Sequence, residues 1–421
     1  MLKIKVKPED FIVEEVADIS LTQGGDFSVY LLKKRGWNTV DILKTLSRKL
    51  NFPSSYFSYG GKKDKYALTT QYITIGQYNE AMPGEYKDAF PRNLRPVPGL
   101  PRSQYLKNIS EIKEICENNY SLSLVGNMDR PMGPDLIKGN KFHIVVRNLT
   151  DEALSSALGE IEQVKNDGYP NYFDDQRFGS FDSRQGFIAE KILRKHYNGA
   201  LKVYFSRIHP EDNKEEREHR KFIFENWGKW QICLEKARSK FEKVSFQFLI
   251  KNPMGFLPVL QRISHDEMVL FFSAYQSHLW NEVLRKIIKS VGIHALKIYK
   301  GIAGNYYFYT QIEDRNKEYL STLIIPMPAS NIKMPDTLTE SLYLEVLQEH
   351  QLRRALFNMK KLRQAFFKGI ERRSIIMPEN LATDCSEDEI YPGKKKLILD
   401  FFLPRGCFGT MFVKRIFSGN S

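Results

Sequence analysis

Cysteine is scarce in this chain and poorly placed for chemistry. The four, Cys116, Cys233, Cys385 and Cys407, lie far apart and form no C-x-x-C pair. That argues against a disulfide framework or a zinc knuckle and fits a reducing compartment. The eight histidines contain no H-x-x-x-H or H-E-x-x-H pairing, so no metal is expected. Long apolar runs are missing as well, and Met268-Val269-Leu270-Phe271-Phe272 is far short of a membrane span. The N-terminus, Met1-Leu2-Lys3-Ile4-Lys5, turns acidic at Glu9-Asp10 without the apolar stretch of a signal peptide. The expected location is cytoplasmic, with no membrane contact.

What the chain does have is length, aromatics and positive charge. Its 421 residues suit two domains, or one domain carrying a large insertion. Hydrophobic residues make up 42% and aromatic ones 13%, enough for a sizeable core. Lys and Arg number 63 against 50 Asp and Glu, a net charge of +13. Such a balance favours a polyanionic partner, because each phosphate contact releases counterions. Charge alone is equally compatible with a basic protein that binds nothing in particular.

Phe27, Val29 and Leu31 alternate with Ser28, Tyr30 and Leu32, which predicts a strand with at least one buried face. Asn38 and Thr39 offer N-caps for a helix carrying Val40, Leu43, Leu46 and Leu50, ended by Pro53. A glycine turn at Gly60-Gly61, a basic loop and a strand around Gln71–Ile75 follow. Residues 78–120, with five prolines, read as a long surface excursion and a candidate RNA contact. Strand character returns at Phe142, Ile144 and Val146, and 182–196 reads as a helix. Ser264 and Glu267 form a capping box before a long helix through Phe272, Tyr275, Leu279 and Val283. A second helix is expected near 351–370, its basic face either solvated or meeting phosphate. Leu397, Leu399, Phe401 and Leu403 alternate, Pro404-Arg405-Gly406 turns, and 409–417 is expected to return as the second strand of a hairpin. A hairpin this apolar needs the N-terminal sheet to pack on. The expected organisation is therefore a catalytic domain of 1–195 and 369–421 interrupted by an inserted domain, 196–368.

Two segments concentrate chemistry. In Gly60-Gly61-Lys62-Lys63-Asp64-Lys65-Tyr66-Ala67, four charges follow a glycine turn. By spacing alone this is an exposed hairpin loop. The functional alternative is an acid held among cations, which favours the carboxylate needed for nucleophilic attack. In Asn171-Tyr172-Phe173-Asp174-Asp175-Gln176-Arg177-Phe178-Gly179, an amide, two acids, an arginine and three aromatics crowd nine residues. Aromatic faces stack on unpaired bases, amides read base edges and arginine clamps phosphate. A packed aromatic turn with ordinary surface polars explains this segment equally well.

Further segments flank these two. Lys7-Pro8-Glu9-Asp10-Phe11-Ile12-Val13-Glu14-Glu15 precedes them, Gly139-Asn140-Lys141-Phe142 lies between, and Ser273-Ala274-Tyr275-Gln276-Ser277 with Asn281, Glu371-Arg372-Arg373-Ser374 and Leu403-Pro404-Arg405-Gly406-Cys407-Phe408-Gly409-Thr410 follow. In this order they resemble the TruD family of tRNA pseudouridine synthases. Gly61 to Thr69 is similar to the family's G-x-K-D-(K/R)-x-A-x-T motif, and Pro170 to Gly179 to its P-N-Y-F-x-x-Q-R-F-G motif. The terminal segment is similar to L-P-(K/R)-G-x-(Y/F)-A-T. There are two departures. The stretch Asp129–Asp135 is nearly neutral where the family is commonly basic, which puts in doubt how closely the tRNA contacts follow the family's. Gly409 replaces the usual alanine.

The resemblance implies an α+β fold: a pseudouridine-synthase catalytic domain with a mixed, largely antiparallel sheet, interrupted by an inserted α/β TRUD domain. It implies isomerisation of uridine to pseudouridine in RNA without cofactor or metal, with position 13 of tRNA as the first expectation and other tRNA positions or other RNAs left open; the chain is expected to act as a monomer. The target nucleoside leaves its stack for a pocket, at a cost of roughly a few kcal/mol. Asp64 is the implied catalytic residue, either attacking the nucleoside or abstracting a ribose proton to give a glycal. Asn171 would hold Asp64 or the uracil edge, and Phe173 would stack on the flipped base. Lys65 and Arg177 would position phosphate or carboxylate unless they are ordinary surface charges, and Lys62 and Lys63 are candidate backbone contacts. Two other readings stand beside this. A catalytically silent RNA-binding protein or tRNA chaperone on the same scaffold would most simply have lost the acid, which is present. A hydrolase or nuclease using Asp174 and Asp175 would require a divalent metal.

Overall fold

The structure, a computed structural model, describes residues 2–50, 53–76, 112–209, 211–291, 296–358, 367 and 369–419. The chain forms two compact units. The first comprises Met1–Lys165 and Met377–Gly409, the second Asn166–Ile376 and Thr410–Ser421. The excursion expected over 78–120 lies outside the described residues except for its end, where 112–120 leads into and between two strands.

The first unit is built on a nine-stranded sheet. Its strands are β1 (Phe11–Ala17), β2 (Phe27–Arg35), β3 (Phe57–Tyr59), β4 (Leu68–Gly76), β5 (Glu114–Glu117), β6 (Tyr120–Met128), β7 (Ile137–Leu149), β8 (Glu379–Glu387) and β9 (Lys395–Pro404). The order is β8-β9-β7-β1-β4-β2-β6-β5, with β3 also paired to β4. Only β1 and β4 run parallel; the remaining pairs are antiparallel. The fold is thus α+β with a mixed, largely antiparallel sheet, and both ends of the sequence contribute strands to it.

The helix Thr39–Lys49 turns Ile42, Leu43 and Leu46 onto one face of this sheet. They pack with Tyr30 and Leu32 of β2, Ile73 and Ile75 of β4 and Leu122 of β6. Each such side chain contributes about 1.5–3 kcal/mol when fully buried. At the other end of the sheet Leu397, Leu399, Phe401 and Leu403 alternate inward along β9. Charged side chains are interior too: Arg147, 1% exposed, reaches Asp10, 0% exposed, through Nε and Nη2 and Asp388 through Nη1 at 2.9 Å. The Arg147 main chain also pairs with Lys3, so the segment from Lys3 to Asp10 is pinned to β7.

The second unit is mainly helical. Its longest element, His265–Ser290, starts at Ser264, whose Oγ accepts from the Glu267 N–H. Phe272, Tyr275, Leu279 and Val283 are buried along it, as expected from their spacing. Short two-stranded pairings join distant segments: Tyr169–Pro170 pairs with Ile375–Ile376, and Ile324–Pro326 with Glu371–Arg373.

Three local expectations are corrected. Gly409–Ile416 is a helix, not a returning strand; β9 pairs with β7 and β8 instead. Phe412, Val413, Ile416 and Phe417 are buried at helical spacing, and the short apolar run Met411-Phe412-Val413 does not distinguish the two periods. The helix expected over 182–196 begins only at Ile188. The Asp182 carboxylate accepts from the Arg184 and Gln185 N–H groups and builds a turn first. Within 351–370 the described residues hold a single turn of 3₁₀ helix at Arg354–Phe357; residues 359–366 and 368 lie outside the description.

Candidate active site

Asp64 sits in the first unit, on the turn between β3 and β4, with its side chain 16% exposed. Three donors hold this residue. The Lys5 ammonium pairs with Oδ2, the Tyr66 N–H donates to Oδ1 at 3.0 Å, and Lys34 Nζ donates to the main-chain carbonyl at 2.5 Å. Lys5 also lies over the Phe11 ring, 4.2 Å from its centroid. The turn is tied down on its other side. Lys63 Nζ pairs with Glu15 at 2.6 Å and donates to Asn140 Oδ1 at 2.8 Å, and the Gln71 amide donates to the Gly61 carbonyl at 3.1 Å. A Cβ on Gly60 would stand 2.3 Å from Ile137 Cδ1 and 2.9 Å from the Gly133 carbonyl, so only glycine fits where the turn leaves β3.

Asn171, Phe173 and Arg177 belong to the second unit. Asn171 is 4% exposed; its N–H donates to the Ser374 carbonyl and its Nδ2 to the Arg373 carbonyl. Arg372 closes on it from the neighbouring strand: Nη2 donates to Asn171 Oδ1 at 2.6 Å and Nε to the Asn171 carbonyl at 2.8 Å. The amide thus commits one donor and one lone pair inside its own unit, out of two of each. The same guanidinium lies 4.1 Å from the centroid of the Phe173 ring, which meets Trp280 edge-on at 5.5 Å. Asn281 fixes the Phe173 backbone at both ends, accepting from its N–H and donating to its carbonyl, each at 2.9 Å. Arg177 donates through Nε to Ser277 Oγ at 3.3 Å, and burial draws its guanidinium below the ordinary arginine value.

The neighbouring acids are structural. Lys414 bridges Asp174 and Asp175; Thr410 also donates to Asp174, and the Tyr306 hydroxyl to Asp175 at 2.8 Å. Burial alone would lower the Lys414 pKa, yet the two carboxylates carry it above the usual lysine value. Two acids so fully engaged do not offer the free oxygens a divalent cation requires. His278, Glu282 and His350 place donor atoms within 4.8 Å of one another. There Glu282 is already paired with Arg285, and burial holds both imidazoles below their ordinary pKa.

A profile of the family described as tRNA pseudouridine synthase D (TruD) matches residues 2–88 and 102–416. The chain belongs to the TruD family. A TruD protein of Methanococcus maripaludis is 28% identical, with 99% of this chain and 100% of that protein covered. The tRNA pseudouridine synthase D of Leptospira interrogans is 27% identical, covering 98% of this chain and 95% of its own. A solved TruD structure from Methanosarcina mazei has the same fold, with a TM-score of 0.66, 22% identity, and coverage of 98% of this chain and 93% of that one.

The TruD motif residues gather in two clusters, one per unit. Glu15, Lys63 and Asn140, from three separate motifs, meet beneath the Asp64 turn. Asn171, Phe173, Asn281 and Arg372 form the second cluster, and Thr410 of the terminal motif reaches Asp174 beside it. Lys63 is spent on this internal pairing, its side chain 8% exposed, and so does not face phosphate as its sequence position suggested. Lys62 is exposed, and Lys65 is half-buried with its ammonium 5.0 Å from the Tyr66 ring centroid. Sequence reasoning missed Lys5, Lys34 and Arg372 as partners. Lys34, a lysine on the inward phase of β2 after Tyr30 and Leu32, was the one legible signal.

Proposed function

We infer that this chain converts uridine to pseudouridine in tRNA, with Asp64 as the reacting carboxylate. Membership of TruD supports the reaction, and the observation that carries the residue is the set of three donors aimed at one acid. Lys5 and the Tyr66 N–H each take one oxygen of the carboxylate, while Lys34 takes the carbonyl of the same residue. A side chain held this way loses little freedom on the way to the transition state. The reaction breaks the glycosidic bond, turns the uracil and rejoins it through C5. In one route Asp64 adds to the nucleoside; in the other it takes a ribose proton and a glycal forms. Either route uses side chains of the protein and no cofactor or metal.

Asn171 is proposed to act chiefly by holding Arg372 against Phe173, with its remaining donor and lone pair available to the uracil edge. Phe173 and the guanidinium on it make a flat, cationic platform of the kind that stacks an unpaired base. Arg177 and Lys65 are proposed as substrate contacts. The division into a catalytic domain, 1–195 with 369–421, and an inserted domain, 196–368, remains our functional reading beside the two compact units. A cytoplasmic monomer is part of the same proposal. Among the described residues no helix is long and apolar enough to cross a membrane, and the four cysteines are free thiols.

The proposed target is uridine 13 of tRNA. The test is pseudouridine mapping on transcribed tRNA with and without the protein, repeated with cytidine at position 13. Product at that position in the first RNA and none in the second is expected. Conversion at another uridine alone would keep the reaction and overturn the position.

A further inference from the structure

We propose that Lys34 is a positioning residue for Asp64: its ammonium fixes the plane of the peptide that carries the reacting acid and adds a second positive charge beside it. The proposal rests on the assignment of Asp64 as the reacting carboxylate. Its ground is an anomaly in β2. Ser28, Tyr30, Leu32 and Lys34 are all buried, and the first three are ordinary interior residues for an inward phase. Lys34 is 1% exposed, whereas Lys33 and Arg35 beside it are exposed. Burying an ammonium is costly unless it is hydrogen-bonded and paired. Here, among the described residues, the hydrogen bond that offsets the cost runs 2.5 Å to the Asp64 carbonyl.

The geometry gives this bond a specific task. The Tyr66 N–H and Lys5 act on the two carboxylate oxygens, so they set the end of the side chain. Neither fixes the peptide from which that side chain springs. Lys34 does so from inside the sheet, paired on both sides, where it lies opposite Thr69 on β4 and Tyr120 on β6. Among the described residues the charged groups acting on Lys34 are Asp64 and Lys63; Asp64 also pairs with Lys5, and Lys63 is itself neutralised by Glu15.

A consequence in pH follows. Burial pulls Lys34 down to about 8, with Asp64 acting to raise it and Lys63 to lower it further. The protonated form is the one that supplies the charge and the strong hydrogen bond. Turnover should therefore be full below this value and fall as pH rises through it. Ionisation of the uracil ring also suppresses reaction at high pH, but that limb is common to every variant.

The test is single-turnover kinetics on tRNA across pH for the full chain, Lys34→Met and Lys34→Arg. Methionine keeps the volume and removes the charge, so the fold is expected to survive. Lys34→Met should lower the rate about ten- to hundredfold with KM nearly unchanged, and the fall near pH 8 should vanish. Lys34→Arg should restore part of the rate and move the fall upward, since a guanidinium stays charged. A folded Lys34→Met enzyme with the wild-type rate and an unaltered fall would overturn the proposal. Should that variant not fold, an unshifted fall in Lys34→Arg overturns it equally. Asp64→Asn separates the two claims. Activity retained there sinks the assignment of Asp64, whereas an inactive Asp64→Asn beside a wild-type Lys34→Met sinks Lys34 alone.

Discussion

Replacing Arg147 by methionine should cost more stability than almost any other single change in the first unit. The guanidinium makes three hydrogen bonds to Asp10, at 2.8–3.0 Å, and one to Asp388 at 2.9 Å. Asp10 is 0% and Asp388 5% exposed, so removing the cation leaves two carboxylates buried beside each other. Breaking a buried pair from one side costs about 3–5 kcal/mol. For a unit of this size that corresponds to roughly 10 °C in melting temperature. The pH dependence has a definite sign. Burial would raise the Asp388 pKa, but N–H groups of Asn148, Ile390 and Tyr391 and the Arg147 guanidinium together hold it below the usual carboxylate value. A group depressed in the folded state contributes stability above its unfolded pKa, lost as pH falls through the folded one. The gap between wild type and Arg147→Met should accordingly narrow in acid. Adding Asp10→Asn and Asp388→Asn should recover most of the loss at neutral pH, because the excess charge has gone. Circular dichroism melts at several pH values read all of this. A single mutant melting with wild type at neutral pH would refute the reasoning. A second readout is the reaction itself, since Arg147 pins the segment that delivers Lys5 to Asp64.

Two further outcomes follow from the site and its frame. Arg372→Ala gives up a cation–π contact and two hydrogen bonds to Asn171. The loss is about 2–3 kcal/mol, or roughly 30- to 160-fold in kcat/KM. Arg372→Lys should recover little of it, because an ammonium cannot reproduce the planar fork; a lysine enzyme equal to wild type would remove Arg372 from the platform. Gly409→Ala should destabilise although alanine is the commoner family residue. Its Cβ would meet the Phe142 ring at 2.8 Å, and that ring is stacked on Phe401 at 5.3 Å and cannot swing away. Overpacking of about 1–3 kcal/mol exceeds the gain of less than about 1 kcal/mol from helix propensity; an unchanged or raised melting temperature would contradict it.

How much of this was legible in the chain depends on how far apart the partners lie. Alternation along 27–35 and 397–403 is a local signal that the structure follows, and of the helical stripe Val40, Leu43, Leu46 and Leu50 the structure buries Leu43 and Leu46, with Ile42 beside them in place of the outer two. The last helix failed because Met411-Phe412-Val413 is apolar in either period, and its choice is made by what covers it. Asp182 shows a side chain claiming two backbone N–H groups that a helix would have used otherwise. As candidates, Asp64, Asn171 and Phe173 were readable through motifs. Their partners were not: Lys5 lies 59 residues from Asp64, Lys34 lies 30, and Arg372 lies 201 from Asn171. No spacing rule spans such separations. The charge of these residues is visible in sequence, but the direction in which each points is a property of the sheet and the paired strands.

The account stands most directly on Asp64, and one substitution tests it. Asp64→Asn keeps the volume of the side chain and the acceptor for the Tyr66 N–H while removing the charge that pairs with Lys5. With transcribed tRNA as substrate, it should bind RNA with wild-type affinity and form no pseudouridine over many wild-type turnover times. Pseudouridine formed by Asp64→Asn at a rate near wild type would contradict the central claim.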